Sequence, residues 1–228
     1  MKIYEYTNKG NREENQDFVV HGSLPGDSAV FIVADGMGGY SEGAAASRVV
    51  SEAILDFVEM NFDKFTPAEL LKECIPFAND ALMLKRIALA AKKMGCVITV
   101  LLISNGNAYL TWLGDSRIYM FRDGDEVYRT EDHSIVNELA KIKTLRASNY
   151  EKYSSIVTKS IMGDDPVDVA PIRKIEVEEG DVFVLCTDGF HKEIDMRKAL
   201  DYDDSKKQEL DSIAETISDN FSFIKVEL

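Results

Sequence analysis

The feature that most constrains this chain is the segment at residues 30–43, VFIVADGMGGYSEG. An uninterrupted apolar run ends at Asp35, and glycines then lead into a stretch whose apolar residues have helical spacing. Such a run is typical of a buried strand, and glycines let the backbone approach a ligand closely. A strand that delivers one carboxylate to a turn of this kind predicts a phosphate or metal site. Whether the site forms depends on other carboxylates meeting Asp35.

The composition limits the size of the core and the class of partner. With 228 residues and 45% hydrophobic content, the chain can build one sizeable core, so we expect a single domain over residues 1–228. The net charge of −14 argues against nucleic acid and against an anionic membrane surface as partners. No window approaches the roughly 18 consecutive apolar residues of a membrane span, and no signal segment is visible. We therefore expect a cytoplasmic protein.

The cysteines predict no special chemistry. Cys74, Cys96 and Cys186 are far apart and form no C-x-x-C pair. This pattern favours neither a disulfide framework nor a zinc site. Each is expected to be a small apolar residue of the core.

The pattern along the chain predicts both strands and helices. Strands are expected at residues 2–10, 18–20, 29–34, 96–103, 108–113, 117–121, 126–129, 181–187 and 221–228. Helices are expected from residue 41, from residue 67 to 93, at 132–142 and at 206–218. The second helix begins at a Thr66-Pro67 capping signature, and Pro76 should kink or split it. Residues 143–160 are polar and aperiodic, which predicts a loop or a short flap.

Five aspartates follow or precede the predicted strands, namely Asp17, Asp35, Asp115, Asp188 and Asp219. If one core brings them together, two bare carboxylates in contact would repel each other by roughly 4 kcal/mol at an intermediate dielectric. Divalent cations would remove that repulsion. Because the ligands would all be oxygens, including the carbonyl of Gly36, Mg²⁺ or Mn²⁺ is favoured over zinc.

Six motifs occur in order over nearly the whole chain. They are R-x-x-N-Q-D at 12–17, V-A-D-G-M-G-G at 33–39, G-D-S-R-x-Y at 114–119, D-H-S at 132–134, C-T-D-G at 186–189 and D-N-x-S at 219–222. With these motifs the chain resembles the PPM, or type 2C, family of metal-dependent serine/threonine protein phosphatases, in a compact bacterial form. The resemblance implies an α+β fold: a four-layer α-β-β-α sandwich in which helix pairs flank two antiparallel sheets.

The resemblance also implies roles for individual residues. Asp35 would bridge two metal ions, the Gly36 carbonyl would bind one of them, and Asp188 and Asp219 would complete the other. Asp17 would lie near the ions or bind them through water. Two further positions complete the implied site: Asp115 would help to hold a third ion, and Asn220 would support the ligands from behind.

Arg12 matches the arginine that grips the substrate phosphate, and its planar guanidinium suits two phosphate oxygens at once. Two metal ions can supply an activated water for direct attack on a phosphoserine or phosphothreonine of a protein. Met37 stands where many eukaryotic members have histidine, so a histidine acid is missing at that position. His133 is expected to be structural, and His21 and His191 to be exposed.

Three functions remain open on the sequence alone. An active Mg²⁺- or Mn²⁺-dependent phosphoprotein phosphatase, opposed by a serine/threonine kinase, is favoured. A catalytically quiet pseudophosphatase that binds a phosphorylated partner is the second. The third is a two-metal phosphoesterase acting on a small molecule. Retention of every acidic motif position argues against the second, and the absence of a base-binding aromatic platform or a basic groove argues against a nucleotide substrate.

Overall fold

The structure is a computed structural model that describes residues 1–37, 41–142, 153 and 156–228. Its described strands form two five-stranded sheets in which every neighbouring pair is antiparallel. The first sheet has the order β1-β10-β9-β6-β7, and the second has the order β2-β3-β4-β5-β8. The strands are β1 (Lys2–Asn8), β2 (Asp17–Leu24), β3 (Ser28–Met37), β4 (Gly95–Ser104), β5 (Asn107–Leu113), β6 (Arg117–Arg122), β7 (Asp125–Arg129), β8 (Ile172–Glu176), β9 (Val182–Cys186) and β10 (Phe221–Glu227).

The helices form the outer layers. They are α1 (Ser41–Asn61), α2 (Pro67–Ala88), α3 (Ile135–Lys141), α4 (Asp188–His191), α5 (Met196–Ala199) and α6 (Lys207–Ala214). The predicted start of α2 is confirmed, because Thr66 and Glu69 form a reciprocal capping box. The helix is continuous past Pro76, so the proline does not split it. Cys74, Ile75 and Ala78 are buried beside the proline, and this packing holds the helix together despite the missing hydrogen bond.

Three apolar clusters separate four layers. Side chains such as Phe31, Leu101 and Phe183 fill the space between the sheets. A second cluster packs α1 and α2 against the outer face of the sheet that contains β3 and β4. A third covers the outer face of the other sheet with side chains from α4, α5 and α6. The predicted four-layer α-β-β-α arrangement is confirmed, but this last layer consists of short helices. Asp195 and Asp203 are N-caps, and each begins a new short helical segment there.

Two details differ from the sequence prediction or lie beyond it. Strand β8 was not predicted, because most of its side chains are exposed and it has no apolar face to signal a strand. Most of the predicted flap at 143–160 lies outside the described residues.

The three cysteines are buried and free, as predicted. Among the described helices, none has the length and apolar character needed to cross a bilayer.

Candidate metal and phosphate site

The five predicted aspartates come from separate parts of the fold. Asp17 opens β2, and Asp35 lies directly opposite it near the end of β3. The other three occupy connections at strand ends: Asp115 between β5 and β6, Asp188 after β9, and Asp219 before β10. The two facing sheets therefore bring these strand ends to one edge of the sandwich.

A cavity of about 630 Å³ opens at this edge. Its lining includes Asp35, Asp115, Asp188 and Asp219, together with Arg12. Gly36, Met37, Val97 and Asn220 contribute further surface, as does Val157 from the segment that follows the undescribed residues. The structure thus places four of the five predicted aspartates and the predicted phosphate-binding arginine around one space, and Asp17 lies opposite Asp35 in the strand register.

Burial and mutual repulsion raise the pKa values of three of the carboxyl groups. Burial, followed by the negative charges of Asp17 and Asp188, raises the pKa of Asp35 well above its ordinary value. Burial also raises the pKa of Asp17 to about 7, with Asp188 and Asp219 adding to the shift. For Asp115, burial and the charge of Asp188 raise the pKa to about 6. Carboxyl groups in this condition are poised to accept a cation.

Asp17 carries an unmet acceptor. One of its oxygens, Oδ2, accepts a hydrogen bond of 3.0 Å from the hydroxyl of Thr187. The other, Oδ1, is buried and has no hydrogen-bond partner among the described residues. A buried acceptor without a partner costs about 1–3 kcal/mol, so a cation or its water would stabilise this oxygen.

Two positively charged side chains form ion pairs with the carboxylates of Asp188 and Asp219. The guanidinium of Arg12 contacts both oxygens of Asp219, each at 3.0 Å. The ammonium of Lys192 lies 2.6 Å from Oδ2 of Asp188. Burial opposes ionisation of Asp188, but Lys192 outweighs it and lowers the pKa of this carboxyl group. The sequence indicated Arg12 but gave no reason to single out Lys192.

The gathered oxygens suit a hard divalent cation. Within the described part of the chain, no three Asp, Glu, His or Cys side chains form a ready-made metal-binding group. The carboxylates of Asp188 and Asp219 are each directed toward a positively charged side chain. The donor set is made of carboxylates with a backbone carbonyl beside them, which fits Mg²⁺ or Mn²⁺.

Gly36 and Asn220 hold the backbone around the site. A Cβ atom at Gly36 would lie 2.2 Å from the carbonyl oxygen of Gly43, so only glycine fits where β3 meets the start of α1. The side chain of Asn220 accepts a hydrogen bond from the backbone N–H of Gln16 and donates to the carbonyls of Lys9 and Glu14. Asn220 therefore fastens the segment that contains Arg12 to the segment that contains Asp219.

The G-D-S-R and D-H-S motifs meet behind the cavity. Arg117 forms two hydrogen bonds of 2.7 Å to Asp132, and this geometry fixes the connection that carries Asp115. His133 accepts a hydrogen bond from the Gly114 N–H and stacks on Trp112, which agrees with its predicted structural role.

The expectation that His191 is exposed is wrong. Its ring is half-buried, and Nε2 lies 3.0 Å from the carbonyl oxygen of Asp115. Burial and the nearby positive charge of Arg117 lower its pKa to about 4, so the ring is neutral at pH 7 and donates to that carbonyl. The sequence signal that was missed is its position three residues after Asp188, in the helical turn that follows β9.

Comparison with known proteins agrees with this arrangement. A family model described as Protein phosphatase 2C matches residues 7–221. Protein phosphatase PhpP of Streptococcus pneumoniae is 32% identical over 195 residues, which are 83% of this chain and 78% of that relative.

Solved structures share the fold. The serine/threonine phosphatase of S. agalactiae superposes with a TM-score of 0.84 at 27% identity, covering 100% of this chain and 99% of that one. The catalytic domain of the serine/threonine protein phosphatase PstP, in complex with two manganese ions, gives a TM-score of 0.80 at 22% identity, with coverage of 99% and 97%. The second likeness supports the fold alone.

Proposed function

This chain belongs to the protein phosphatase 2C family, and from that premise we propose that it hydrolyses phosphoserine and phosphothreonine in proteins, using two Mg²⁺ or Mn²⁺ ions held by its aspartates. The observation that carries the proposal is the convergence of Asp35, Asp115, Asp188 and Asp219 on one cavity that also contains Arg12. A site with several buried carboxylates and one guanidinium suits a metal-assisted reaction on an anionic group.

The metal ligands we propose are those that the family resemblance implies, and all of them except Asp17 line the cavity. Asp35, whose carboxyl group feels the charges of the other four aspartates, would be a ligand together with the Gly36 carbonyl. Asp188 and Asp219 would complete the set, and Asp17 would accept through its buried oxygen. Asp115 is placed to help hold a third ion. When bound, such ions supply an activated water and neutralise the charge of the phosphoryl group.

The chain's own residues bind and orient the phosphate. The guanidinium of Arg12 is half-exposed at the cavity, and we propose that it transfers its two hydrogen bonds from Asp219 to phosphate oxygens. Thr187 orients Asp17, and Asn220 keeps the Arg12 segment in place. His191 donates to the backbone of Asp115, so it is committed to holding that connection rather than to proton transfer.

The partners follow from the reaction. Phosphorylated proteins are the proposed substrates, and a serine/threonine kinase is the proposed opposing enzyme. We place the reaction in the cytoplasm, where ATP-dependent kinases act, and assign it to one catalytic domain over residues 1–228. The relative from S. agalactiae is a serine/threonine phosphatase, which supports the substrate class. Asp35, Asp115, Asp188 and Asp219 all line the cavity, which argues against a pseudophosphatase. Among the described residues, nothing favours a small-molecule phosphoesterase.

The test is hydrolysis of a phosphothreonine peptide and of p-nitrophenyl phosphate in Mn²⁺, Mg²⁺ or EDTA. Asp35→Ala and Asp188→Ala should each lower kcat/KM by at least about 100-fold, because each removes charge that holds the ions. Asp56→Ala, at an exposed position of α1, is the matched control and should retain full activity. Full activity of both site variants, or activity in EDTA, would reject the metal-dependent mechanism.

A further inference from the structure

Lys192 holds a carboxylate that the proposed mechanism needs for a metal ion. Asp188 begins α4, and Lys192 follows that helix, so the two side chains lie one turn apart on the same face. Their charged atoms are 2.6 Å apart. The ammonium also feels the negative charges of Asp115 and Asp219. It is therefore the counterion of Asp188 in the ion-free protein.

We propose that Lys192 sets the metal affinity of the Asp188 position by competing with the divalent ion for this carboxylate. The inference rests on the proposed function, because it takes Asp188 to be a metal ligand. In the ion-free protein the ammonium neutralises Asp188. Binding of an ion at Asp188 requires the ammonium to leave Oδ2 or to share the carboxylate with a second positive charge.

The surroundings of Lys192 favour this role over a structural one or a contact with substrate. Helix α4 has only four residues, so an i,i+4 pair adds little to its stability. Among the described residues that line the cavity, Lys192 is absent. Its side chain is 46% exposed, which leaves the ammonium room to move into solvent when an ion takes its place at Asp188.

The size of the effect follows from the fraction of time that the carboxylate is free. The apparent dissociation constant equals the intrinsic one divided by the fraction of molecules that can bind. If the ion pair holds Asp188 in most molecules, removing it should tighten binding by about three- to tenfold. Arg12 holds Asp219 in a similar way, but its variants would also lose a proposed phosphate contact, so Lys192 gives the cleaner test.

The experiment measures Mn²⁺ binding to the ion-free full chain by calorimetry at pH 7.5. Lys192→Met removes the charge and keeps an apolar chain of similar length, and it should tighten Mn²⁺ binding by about three- to tenfold. Lys192→Arg keeps the charge and should bind like the wild type. Lys198 lies further along the chain, at an exposed position of α5. Lys198→Met therefore controls for the loss of one surface charge.

The outcomes separate this inference from the proposed function. If the wild type binds Mn²⁺ and Lys192→Met binds it with unchanged or weaker affinity, the competition is refuted while the metal site stands. If Lys198→Met tightens binding as much as Lys192→Met, net charge explains the effect and the inference is again refuted. If the wild type binds no Mn²⁺, the proposed metal mechanism itself fails. Tighter binding only in Lys192→Met supports the competition.

Discussion

Replacing Asp35 by asparagine should stabilise the ion-free protein while it abolishes metal binding. Asp35 is half-buried, and the strand register places it directly opposite Asp17. No protein cation is paired with either carboxylate among the ion pairs of the described residues. Function therefore requires a cluster of negative charge that opposes folding whenever the ions are absent. An amide at position 35 removes one charge and can donate hydrogen bonds to the carboxylates around it.

The magnitude follows from the strand register, which places Asp35 opposite Asp17. Directly opposed residues of antiparallel strands have Cβ atoms about 5 Å apart, which gives roughly 3 kcal/mol of repulsion between two charges at an effective dielectric of 20. We expect Asp35→Asn to gain about 2–4 kcal/mol at pH 8, or about 4–16 °C in Tm for a chain of this size.

The pH dependence gives the sign of the effect. An acid whose pKa is raised in the folded state binds protons more tightly when folded, so the protein loses stability as pH rises from about 4 through the folded pKa. For Asp17 that loss runs through a folded pKa of about 7, and for Asp35 it runs through a folded pKa well above the ordinary value. The advantage of asparagine should therefore be large at pH 8 and small at pH 5, where the wild-type carboxyl group is largely protonated.

Urea unfolding in EDTA at pH 5 and pH 8 measures this difference, with Asp56→Asn as the control at an exposed position. Adding Mn²⁺ should raise the stability of the wild type and leave Asp35→Asn unchanged, because only the wild type binds the ion. Asp35→Asn equal to or less stable than the wild type at pH 8 in EDTA would refute the reasoning. A larger gain at pH 5 than at pH 8 would refute it as well.

Two further substitutions test other parts of the site. Arg12→Ala should raise KM for a phosphothreonine peptide by about tenfold or more, because it removes two charge-assisted hydrogen bonds to the phosphate. Calorimetry should show Mn²⁺ affinity no weaker than in the wild type, because the substitution frees Asp219 from its ion pair. An equal loss of metal binding would give Arg12 another role. Gly36→Ala should cost about 1–3 kcal/mol of stability in thermal unfolding, because its Cβ meets the Gly43 carbonyl. Gly180→Ala, in an open turn at positive φ, should cost about 1 kcal/mol, and an equal loss at both positions would contradict the clash.

Most of the fold could be predicted because local patterns agree with the tertiary structure. Buried strands such as β3 and β4 are mostly apolar, and α2 starts at a capping box that the sequence displays. Strand β8 escaped prediction because it takes its place from pairing with β5, while its own side chains show no apolar face. Its existence depends on a neighbour distant in sequence.

The sequence by itself determined the acidic positions, since Asp35 and Asp188 each end an apolar run at a glycine turn. Only the tertiary structure decided which charges meet. Arg12 reaches Asp219 across 207 positions of sequence, and Asp17 faces Asp35 through a strand register. Even the local pair of Asp188 and Lys192 matters only because the folded sheets bring other carboxylates beside it. The residue type determines the charge of a side chain. The electrostatic energy of that charge depends on distance and burial, and these are set by the packing of segments distant in sequence.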